Sequence, residues 1–336
     1  MATIERPRGG SAAPAGLQLR PYAGEADLPG IARVINAEHD ADGRPGRTNV
    51  QELQADYGHP SEAFDAARDV TVAEVDGRIV GVGWRAVIET TDGLLERRMD
   101  GAVEPAWRRR GVGTALFAEN ERRHLARIAT AARGDLRPAL GSWCGTTNPG
   151  AIALLEANGF ERARYFFDMV RPSLDDVTDV PLPDGLEVRP VTRELAHAVF
   201  RADVEAFADH WGGFDRSDEQ FQRWMESPSN DLSLWIAAFD GDDVAGGVIN
   251  VIDDATNEAL GIRRAWLASV FTRRPWRRRG LARALISRSL VALRERGMTS
   301  AALGVDADNP SGALGLYEDL GFEVDYRSIA WRKVLT

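Results

Sequence analysis

Apolar residues along the chain switch between a two-residue spacing and a three-to-four-residue spacing, so predicted strands and helices alternate. Between Leu285 and Leu293 apolar side chains recur at helical intervals with arginines around them, and Gly297 marks the end of this predicted helix. Residues 70–81 and 234–246 each hold two β-rich runs joined at Asp-Gly, which predicts a β-hairpin. The alternation predicts an α/β fold with a mixed sheet and helices on both faces.

The same landmarks occur twice, in the same order. The pentapeptide Trp-Arg-Arg-Arg-Gly occupies residues 107–111 and again residues 276–280, which is 169 positions apart (276 minus 107). Upstream of each copy lie a Leu-x-x-Arg-Pro segment and a hairpin, and downstream lie an Asn-Pro pair and a Gly-Phe pair. The chain is therefore predicted to be an internal duplication. The predicted segments are a flexible tail (1–16), an N-terminal domain (17–171), a linker (172–185) and a C-terminal domain (186–336).

Each copy of the pentapeptide opens a turn of the form Arg-x-x-Gly-x-Gly/Ala that leads into a predicted helix. Glycine lets the backbone approach an anion closely, and the following helix adds the positive end of its dipole. Such a turn suits the binding of a pyrophosphate by backbone N–H groups. The arginines could instead form a solvated basic edge or a nucleic-acid patch, but the net charge of −10 argues against nucleic acid.

The composition is that of a soluble globular protein, with 44% hydrophobic and 27% charged residues. No apolar run approaches the roughly 20 residues that a membrane span needs, and residues 1–16 lack the apolar core of a secretion signal. Cys144 is the single cysteine and cannot form an internal disulfide, which is compatible with a reducing compartment. We expect a cytoplasmic protein that binds neither membranes nor nucleic acid and holds no metal. It would be a monomer, as an internal pseudo-dimer, or a homodimer.

The motifs around both turns resemble those of the GCN5-related N-acetyltransferase (GNAT) family. In the first half the motif reads Val103-Glu104-Pro105-x-x-Arg108-x-x-Gly111-x-Gly113, followed by Asn148 and Gly159-Phe160. In the second half it reads Arg277-x-x-Gly280-x-Ala282, followed by Asn309, Tyr317 and Gly321-Phe322. Within the family, residues 206–211 and 305–309 resemble mycothiol-synthase-like proteins. The resemblance covers nearly the whole chain outside the tail and the linker.

The resemblance implies two tandem domains, each with a mostly antiparallel sheet whose central parallel strands splay apart to admit the pantetheine of acetyl-CoA. The acetyl group would pass to the amine of a small molecule or peptide by direct attack in a ternary complex. In the second half the implied cofactor-binding residues are Val270, Phe271, Thr272, Arg277, Arg278, Arg279, Gly280, Leu281, Ala282, Arg283 and Asn309. In the first half they are Val103, Arg108, Arg109, Arg110, Gly111, Val112, Gly113, Thr114 and Asn148.

The resemblance also separates the two halves. Tyr317 stands where the family places the tyrosine that protonates the departing thiolate, and Leu155 stands at that position in the first half. A tyrosine hydroxyl can donate a proton at neutral pH, whereas leucine has none to give. We therefore expect the C-terminal half to be catalytic, unless Tyr317 only packs on the sheet. The N-terminal half would bind acetyl-CoA without chemistry, or only shape the substrate cleft.

The general base is not identified by the sequence. Mycothiol-synthase-like proteins carry a carboxylate on the strand before the turn, but residues 266–272 contain no acid and Trp266 stands in its place. A water chain ending on Asp253, Asp254 or Glu258 would serve instead, or the amine would arrive already neutral. The missing carboxylate also keeps a second function open, a catalytically silent acetyl-CoA-binding sensor or interaction protein.

Several polar residues near the predicted sites have a structural interpretation as well. Asn148 and Asn309 each precede a predicted helix, so each is a candidate helix N-cap as well as a cofactor contact. His39 and His210 are isolated histidines, and we interpret them as structural rather than as bases.

Overall fold

A computed structural model of the chain describes residues 13–130, 136–213, 217–309 and 312–335. Contacts divide the chain into two compact units. The first unit holds the chain up to Tyr165, Trp211–Arg223 and the segment from Arg327 onward, and the second unit holds Phe166–His210 and Trp224–Tyr326. Of the predicted tail, residues 1–12 lie outside the described ranges. Each predicted domain is one continuous range of the sequence, whereas each compact unit combines several ranges that contact one another. The predicted boundaries therefore remain a prediction.

The first half of the sequence forms six strands and five helices within the described ranges. The strands are β1 (Gln18–Pro21), β2 (Val70–Val75), β3 (Arg78–Glu89), β4 (Leu94–Val103), β5 (Arg137–Gly145) and β6 (Glu161–Arg171). The helices are α1 (Leu28–Asp42), α2 (Val50–Gly58), α3 (Ala66–Asp69), α4 (Val112–Thr130) and α5 (Pro149–Ala157).

Over its described residues, the second half has the same numbers of strands and α-helices, but one of its helices, α8, lies between β9 and β10, where the first half has none. Its strands are β7 (Glu187–Pro190), β8 (Trp235–Asp240), β9 (Asp243–Val251), β10 (Arg264–Thr272), β11 (Ser300–Asp306) and β12 (Glu323–Val334). Its helices are α6 (Arg193–Ala206), α7 (Asp218–Glu226), α8 (Asp254–Leu260), α9 (Leu281–Glu295) and α10 (Ala313–Asp319).

The sheet of the first unit has the strand order β1-β2-β3-β4-β5-β12, and β12 enters it by residues 328–334. All of its paired strands are antiparallel except β4 and β5. The parallel ladder ends where Arg98 lies opposite Gly141, although β4 continues to Val103. The two strands therefore splay apart over their last residues.

The sheet of the second unit has the order β6-β11-β10-β9-β8-β7, and β6 enters it by residues 166–171. Again only one pair, β10 and β11, is parallel. Its ladder ends where Trp266 lies opposite Ala302, and β10 continues to Thr272. The predicted fold class is confirmed: each unit has a mixed, mostly antiparallel sheet with flanking helices and one splayed parallel pair.

Both predicted hairpins form at their Asp-Gly signals. β2 and β3 are joined at Asp76 and Gly77, with φ of 50° and 77°, and Gly241 between β8 and β9 has a φ of 58°. Positive φ at these positions gives the tight turn a twist that matches the strands. The turns therefore set the register of the two hairpins.

The helix predicted after the second turn is α9, which packs on β8, β9 and β10. Its apolar stripe is buried; the residues are Leu281, Leu285, Ile286, Leu290 and Leu293. Burying each such side chain contributes about 1.5–3 kcal/mol. The helix ends at Glu295, and Gly297 follows with a φ of 84°, as its predicted role requires.

The predicted linker, residues 172–185, packs on the second unit. Leu174 and Val177 are buried in the core of that unit, and the Leu174 N–H donates to the Thr299 carbonyl at 3.1 Å. The Arg294 guanidinium donates to the Val177 carbonyl at 2.9 Å.

Among the described helices, none has the length and apolar character that a bilayer span requires.

Candidate functional site

The two Trp-Arg-Arg-Arg-Gly turns have the same backbone conformation. In each, the second arginine is left-handed, with φ of 61° at Arg109 and 63° at Arg278, and the glycine follows with φ of 79° at Gly111 and 84° at Gly280. In the described ranges Asp76 is the one other non-glycine residue with positive φ. A left-handed non-glycine residue costs roughly 1–2 kcal/mol, and such strain gathers at functional sites. The conformation turns successive N–H groups to one side, which makes an anion-binding nest.

The amides that follow the second turn belong to the start of α9. Gly280 is the N-cap and offers no side chain to the first-turn amides. The N–H groups of Leu281, Ala282 and Arg283 are the open donors that every helix N-terminus leaves. Together with the helix dipole they favour a bound anion at this turn.

The first arginine of each pentapeptide anchors the turn to the C-terminal end of the first α-helix in its half of the chain. Arg108 donates to both carboxylate oxygens of Asp42, the last residue of α1, at 2.6 and 2.9 Å. Arg277 donates to the carbonyls of Thr272, at 3.0 Å, and Ala206, the last residue of α6, at 2.9 Å. These two guanidinium groups were predicted to touch the cofactor, and the structure places them in internal hydrogen bonds.

The second and third arginines of each turn are exposed: Arg109, Arg110, Arg278 and Arg279. Within the described ranges no carboxylate pairs with any of them. Arg110 lies over the ring of Trp107, at 5.4 Å from the ring centroid. The side chains of Arg278 and Arg279 are therefore available to an anion beside the turn.

The splayed edge of β10 leads into the second turn. Val270, Phe271 and Thr272 pair with β9 on one side, and the β11 ladder has already ended on the other. The Thr272 hydroxyl is buried without a hydrogen-bond partner, which costs about 1–3 kcal/mol. A bulge between Leu267 and Ser269 bends this strand, a feature that is common beside active sites. The edge and its orphaned hydroxyl fit a polar, extended ligand such as pantetheine.

The splay in the first unit is bridged by a side chain. Asp100 on β4 accepts hydrogen bonds from the Trp143 N–H at 2.7 Å and the Ser142 hydroxyl at 3.2 Å, both on β5. Burial raises the pKa of the Asp100 carboxyl to about 6. Asp100 and Ser269 occupy matching positions, each seven residues before the tryptophan of its turn. The second unit therefore has a small hydroxyl where the first has a bridging acid.

A second carboxylate lies at the first turn. Besides Arg108, Asp42 binds the Asn148 side-chain amide at 2.8 Å and, through its carbonyl, the Thr147 hydroxyl at 2.7 Å. Next to it, burial and the Asp42 charge raise the pKa of Glu38 to about 7. Gly111 is buried whereas Gly280 is exposed. The first turn thus has two carboxyl groups beside its first arginine, whereas the first arginine of the second turn bonds carbonyls.

The two candidate asparagines differ in role. The Asn148 Oδ1 accepts the Ala151 N–H at 2.9 Å and caps α5, so its predicted capping role is confirmed. The N-cap of α10 is Gly312, so the capping role expected for Asn309 is wrong. Instead the Asn309 N–H donates to the Asp306 carbonyl at 3.1 Å in the turn after β11.

Tyr317 lies in α10 with 7% of its surface exposed, and its ring meets Phe322 edge-on at 6.1 Å. Burial raises the pKa of the Tyr317 hydroxyl to about 12, so it stays protonated at neutral pH. The hydroxyl oxygen of Tyr317 is not completely buried. No described group forms a hydrogen bond with it. Leu155, at the matching position of α5, is buried in the apolar core of the first unit.

The acids considered as bases from the sequence do not form a site. Asp253 caps α8 by accepting the N–H of Thr256 at 3.0 Å and its hydroxyl. Asp254 and Glu258 are exposed. Trp266 is partly buried on β10, and the strand carries no carboxylate.

The two histidines are held by local contacts. The His39 Nδ1 lies 3.1 Å from the Gly46 carbonyl, and burial lowers the pKa of the ring. The His210 ring lies beside Phe207 and Phe166, with centroid distances of 5.3 and 6.4 Å. These contacts agree with the structural interpretation of both residues.

Sequence reasoning missed one acid. Asp203 on α6 is 3% exposed and accepts a hydrogen bond from the Ser269 hydroxyl on β10. Burial raises the pKa of the Asp203 carboxyl to about 7. The helical spacing of the sequence could have indicated that Asp203 is buried, because it falls on the same face of α6 as the buried residues Val199 and Phe200. Asp203 thus places a carboxyl group beside β10 from the helix that packs on this strand.

Comparisons with known proteins agree with this geometry. The profile of the acetyltransferase (GNAT) family matches residues 196–322, and that of an acetyltransferase (GNAT) domain matches residues 66–162. A mycothiol acetyltransferase of Geodermatophilus obscurus is 29% identical over 319 residues, which cover 92% of this chain and 94% of that protein. A mycothiol acetyltransferase of Thermomonospora curvata is 31% identical over 260 residues, covering 71% of this chain and 78% of that protein.

Two solved structures match the chain over both of its halves. A GCN5-related N-acetyltransferase from Sphaerobacter thermophilus is 26% identical with a TM-score of 0.71, and the match covers 96% of both chains. A tandem GNAT protein from the clavulanic acid biosynthesis pathway is 20% identical with a TM-score of 0.67, covering 95% of this chain and 98% of that one. At that identity, the second match shows the fold.

These relatives support an enzyme rather than a silent binding protein. The chain transfers an acyl group from acyl-CoA to an amine, and its donor is acetyl-CoA. The chain therefore belongs to the GNAT N-acetyltransferase family, as a tandem member similar to the mycothiol acetyltransferases.

Proposed function

We propose that the chain acetylates the amine of a small molecule by direct attack in a ternary complex, and that this chemistry takes place in the second unit. The observation that carries the proposal is the contrast between the two turns. Both turns have exposed, unpaired arginines, but the second follows an open strand edge, whereas in the first unit Asp42 binds the first arginine of the turn and Asp100 bridges the two splayed strands.

The residues of the second turn would hold the cofactor. The amides from Arg278 to Arg283 would bind the pyrophosphate, with the guanidinium groups of Arg278 and Arg279 beside it. The β10 edge from Val270 to Thr272 would hydrogen-bond the pantetheine and polarise the thioester carbonyl. The bound group supplies an activated acetyl thioester, and the protein supplies position and charge. Arg277 would hold the turn in shape rather than bind the anion.

The first unit would not bind acetyl-CoA in this way. A carboxylate about 4 Å from a phosphate costs on the order of 4 kcal/mol at the effective dielectric near a protein surface. A hydrogen bond to a charged group returns only about 1.5–3 kcal/mol. Asp42 is paired with Arg108, which weakens its field, so we propose that it disfavours a pyrophosphate at the first turn mainly by holding Arg108 and the Asn148 amide away from the anion.

The acceptor is proposed to be an amine related to that of the relatives named mycothiol acetyltransferases. Trp266 replaces the carboxylate expected on β10, which is a reason to screen beyond mycothiol-type amines. Release of free thiol from acetyl-CoA, followed across a panel of small amines, identifies the acceptor class. Peptide amines belong in the same panel as an alternative.

Tyr317 is proposed to protonate the departing thiolate, because its hydroxyl is protonated at neutral pH and unpartnered in the described ranges. Tyr317→Phe should lower kcat by about ten-fold or more and leave the acetyl-CoA Kd unchanged. Tyr326→Phe, at another buried tyrosine of the second unit, is the control and should leave kcat unchanged. An unchanged kcat in Tyr317→Phe would remove this residue from the mechanism.

A further inference from the structure

Asp203 is a buried carboxyl group without a cationic partner in the described part of the chain. It lies on α6, which packs on β9 and β10. The Ser269 hydroxyl on β10 donates to one carboxylate oxygen. The other oxygen is neither hydrogen-bonded by a described group nor fully enclosed, so it remains open to a ligand or water.

No charged neighbour accounts for this acid. The titratable residues of α6, β9 and β10 besides Asp203 are Arg193, Glu194, His197, Arg201, Glu205, Asp243 and Arg264, and His210 follows α6. Glu205 pairs with Arg273 at 2.8 Å, and Asp243 and Arg264 lie at the first positions of their strands. The side chain of Asp209 lies outside the described part. The pKa of Asp203 is raised by burial and lowered by the Ser269 hydroxyl, and none of these charges contributes.

A purely structural role does not explain the arrangement. Burying a carboxyl with one neutral hydroxyl partner is costly, and an apolar residue on this face of α6 would be cheaper. Ser269 follows the bulge on β10, within the part of the strand that has left the β11 ladder. The pair therefore lies on the strand that leads into the second turn. An acid with a pKa near neutrality at such a place is a functional-site signal.

We propose that Asp203 is the catalytic base, accepting the proton of the attacking amine, and that Ser269 positions its carboxylate on β10. The inference deepens the proposed function and rests on it. It supplies from a helix the acid that the strand lacks at Trp266. Asp253 is excluded from this task because it caps α8.

Two residues of the second unit account for the protons of the reaction: one accepts a proton and the other donates one. The nitrogen lone pair forms the new C–N bond, and the C–S bond breaks with its electron pair on sulfur. The amine proton goes to the open Asp203 oxygen, directly or through one water, and the thiolate takes a proton from Tyr317. Asp203 then returns its proton to solvent and Tyr317 regains one, so that amine and thioester become amide and thiol.

The test compares Asp203→Asn with Asp253→Asn in the full chain, using acetyl-CoA and an amine that the wild type turns over. Asp203→Asn should lower kcat by about 100-fold or more while the acetyl-CoA Kd stays within about two-fold. Asp253→Asn keeps a capping side chain and should keep wild-type kcat. Wild-type kcat should fall as pH drops below about 7 because the base becomes protonated, and this limb should be absent in Asp203→Asn.

Two further readouts do not depend on turnover by that variant. With 13C-labelled aspartate carboxyls, a resonance that titrates near pH 7 should be present in the wild type and absent in Asp203→Asn. Ser269→Ala removes a hydrogen bond that stabilises the carboxylate, so both the resonance and the acid limb of kcat should move to higher pH. Ser269→Ala also keeps the test decisive if Asp203→Asn fails to fold.

The outcomes separate this inference from the proposed function. Acetyl-CoA binding with Asp203→Asn turnover within three-fold of the wild type would overturn the role of Asp203 and leave the function standing. A pH profile that Ser269→Ala does not move would overturn the positioning role of Ser269. Wild-type protein that does not bind acetyl-CoA would overturn the proposed function, and the base with it.

Discussion

The two Trp-Arg-Arg-Arg-Gly turns share a sequence and a backbone, yet different residues cover them. In the first unit α1 ends in Asp42, and the guanidinium of Arg108 binds that carboxylate. In the second unit the corresponding helix ends in Ala206, and Arg277 binds its carbonyl instead. Both arginines hold the turn in place, the first by bonding a carboxylate and the second by bonding backbone carbonyls.

The strands before the two turns also differ, because the first carries an acid where the second carries a hydroxyl. Asp100 bridges β4 and β5, whereas Ser269 at the matching position turns to Asp203 on α6. The comparison teaches that a duplicated motif keeps its backbone conformation while the groups around it change, and we propose that the groups of the first unit disfavour the ligand. A site is therefore assigned from the charges around a motif rather than from the motif alone.

The largest expected effect comes from reversing a charge at the left-handed arginine of each turn. Arg278→Glu should weaken acetyl-CoA binding by about 100-fold, because a charge-assisted contact of about 1.5–3 kcal/mol is replaced by repulsion. Arg109→Glu is the matched control, since its φ of 61° is nearly that of Arg278 at 63° and both side chains are exposed.

Titration calorimetry on the two purified variants measures this contrast. The Arg109→Glu protein should bind acetyl-CoA within about two-fold of the wild type, because a change of that size is less than 0.5 kcal/mol. Equal weakening in both variants would break the comparison, since it would place ligand at both turns.

A smaller effect should follow from giving the first unit the residues of the second. Asp42→Ala with Asp100→Ser reproduces Ala206 and Ser269, removes both carboxylates and frees the Asn148 amide. The double variant should bind a second equivalent of acetyl-CoA, more weakly than the first. Native mass spectrometry counts the equivalents.

Two controls sharpen that experiment. Adding Arg109→Glu to the double variant should remove the second equivalent alone, and turnover per chain should not double because Leu155 cannot donate a proton. A double variant that folds yet binds as the wild type does would show that the carboxylates are not what closes the first turn.

Much of the architecture could be predicted because it depends on local chemistry repeated in order. The hairpins follow from Asp-Gly turns, α9 from its apolar spacing, and the pyrophosphate turn from glycine and arginine around a helix start. The splayed parallel pair came from the family resemblance rather than from the residues.

The rest depends on contacts between segments that are distant in the sequence. Nothing in the pentapeptide distinguishes Arg108 and Arg277, which point back to a helix end, from the arginines after them. Asp42 and Asp100 reach their partners only once α1 and β5 are packed. The place of Asp203 could not be predicted, because it depends on how α6 packs on β10.

The stoichiometry of acetyl-CoA on the wild-type chain tests the central claim most directly. Calorimetry should give one equivalent per chain, and Arg278→Glu should abolish it at ligand concentrations that saturate the wild type. Two equivalents, with the second lost in Arg109→Glu, would contradict the account, because the turn covered by Asp42 would then bind the cofactor.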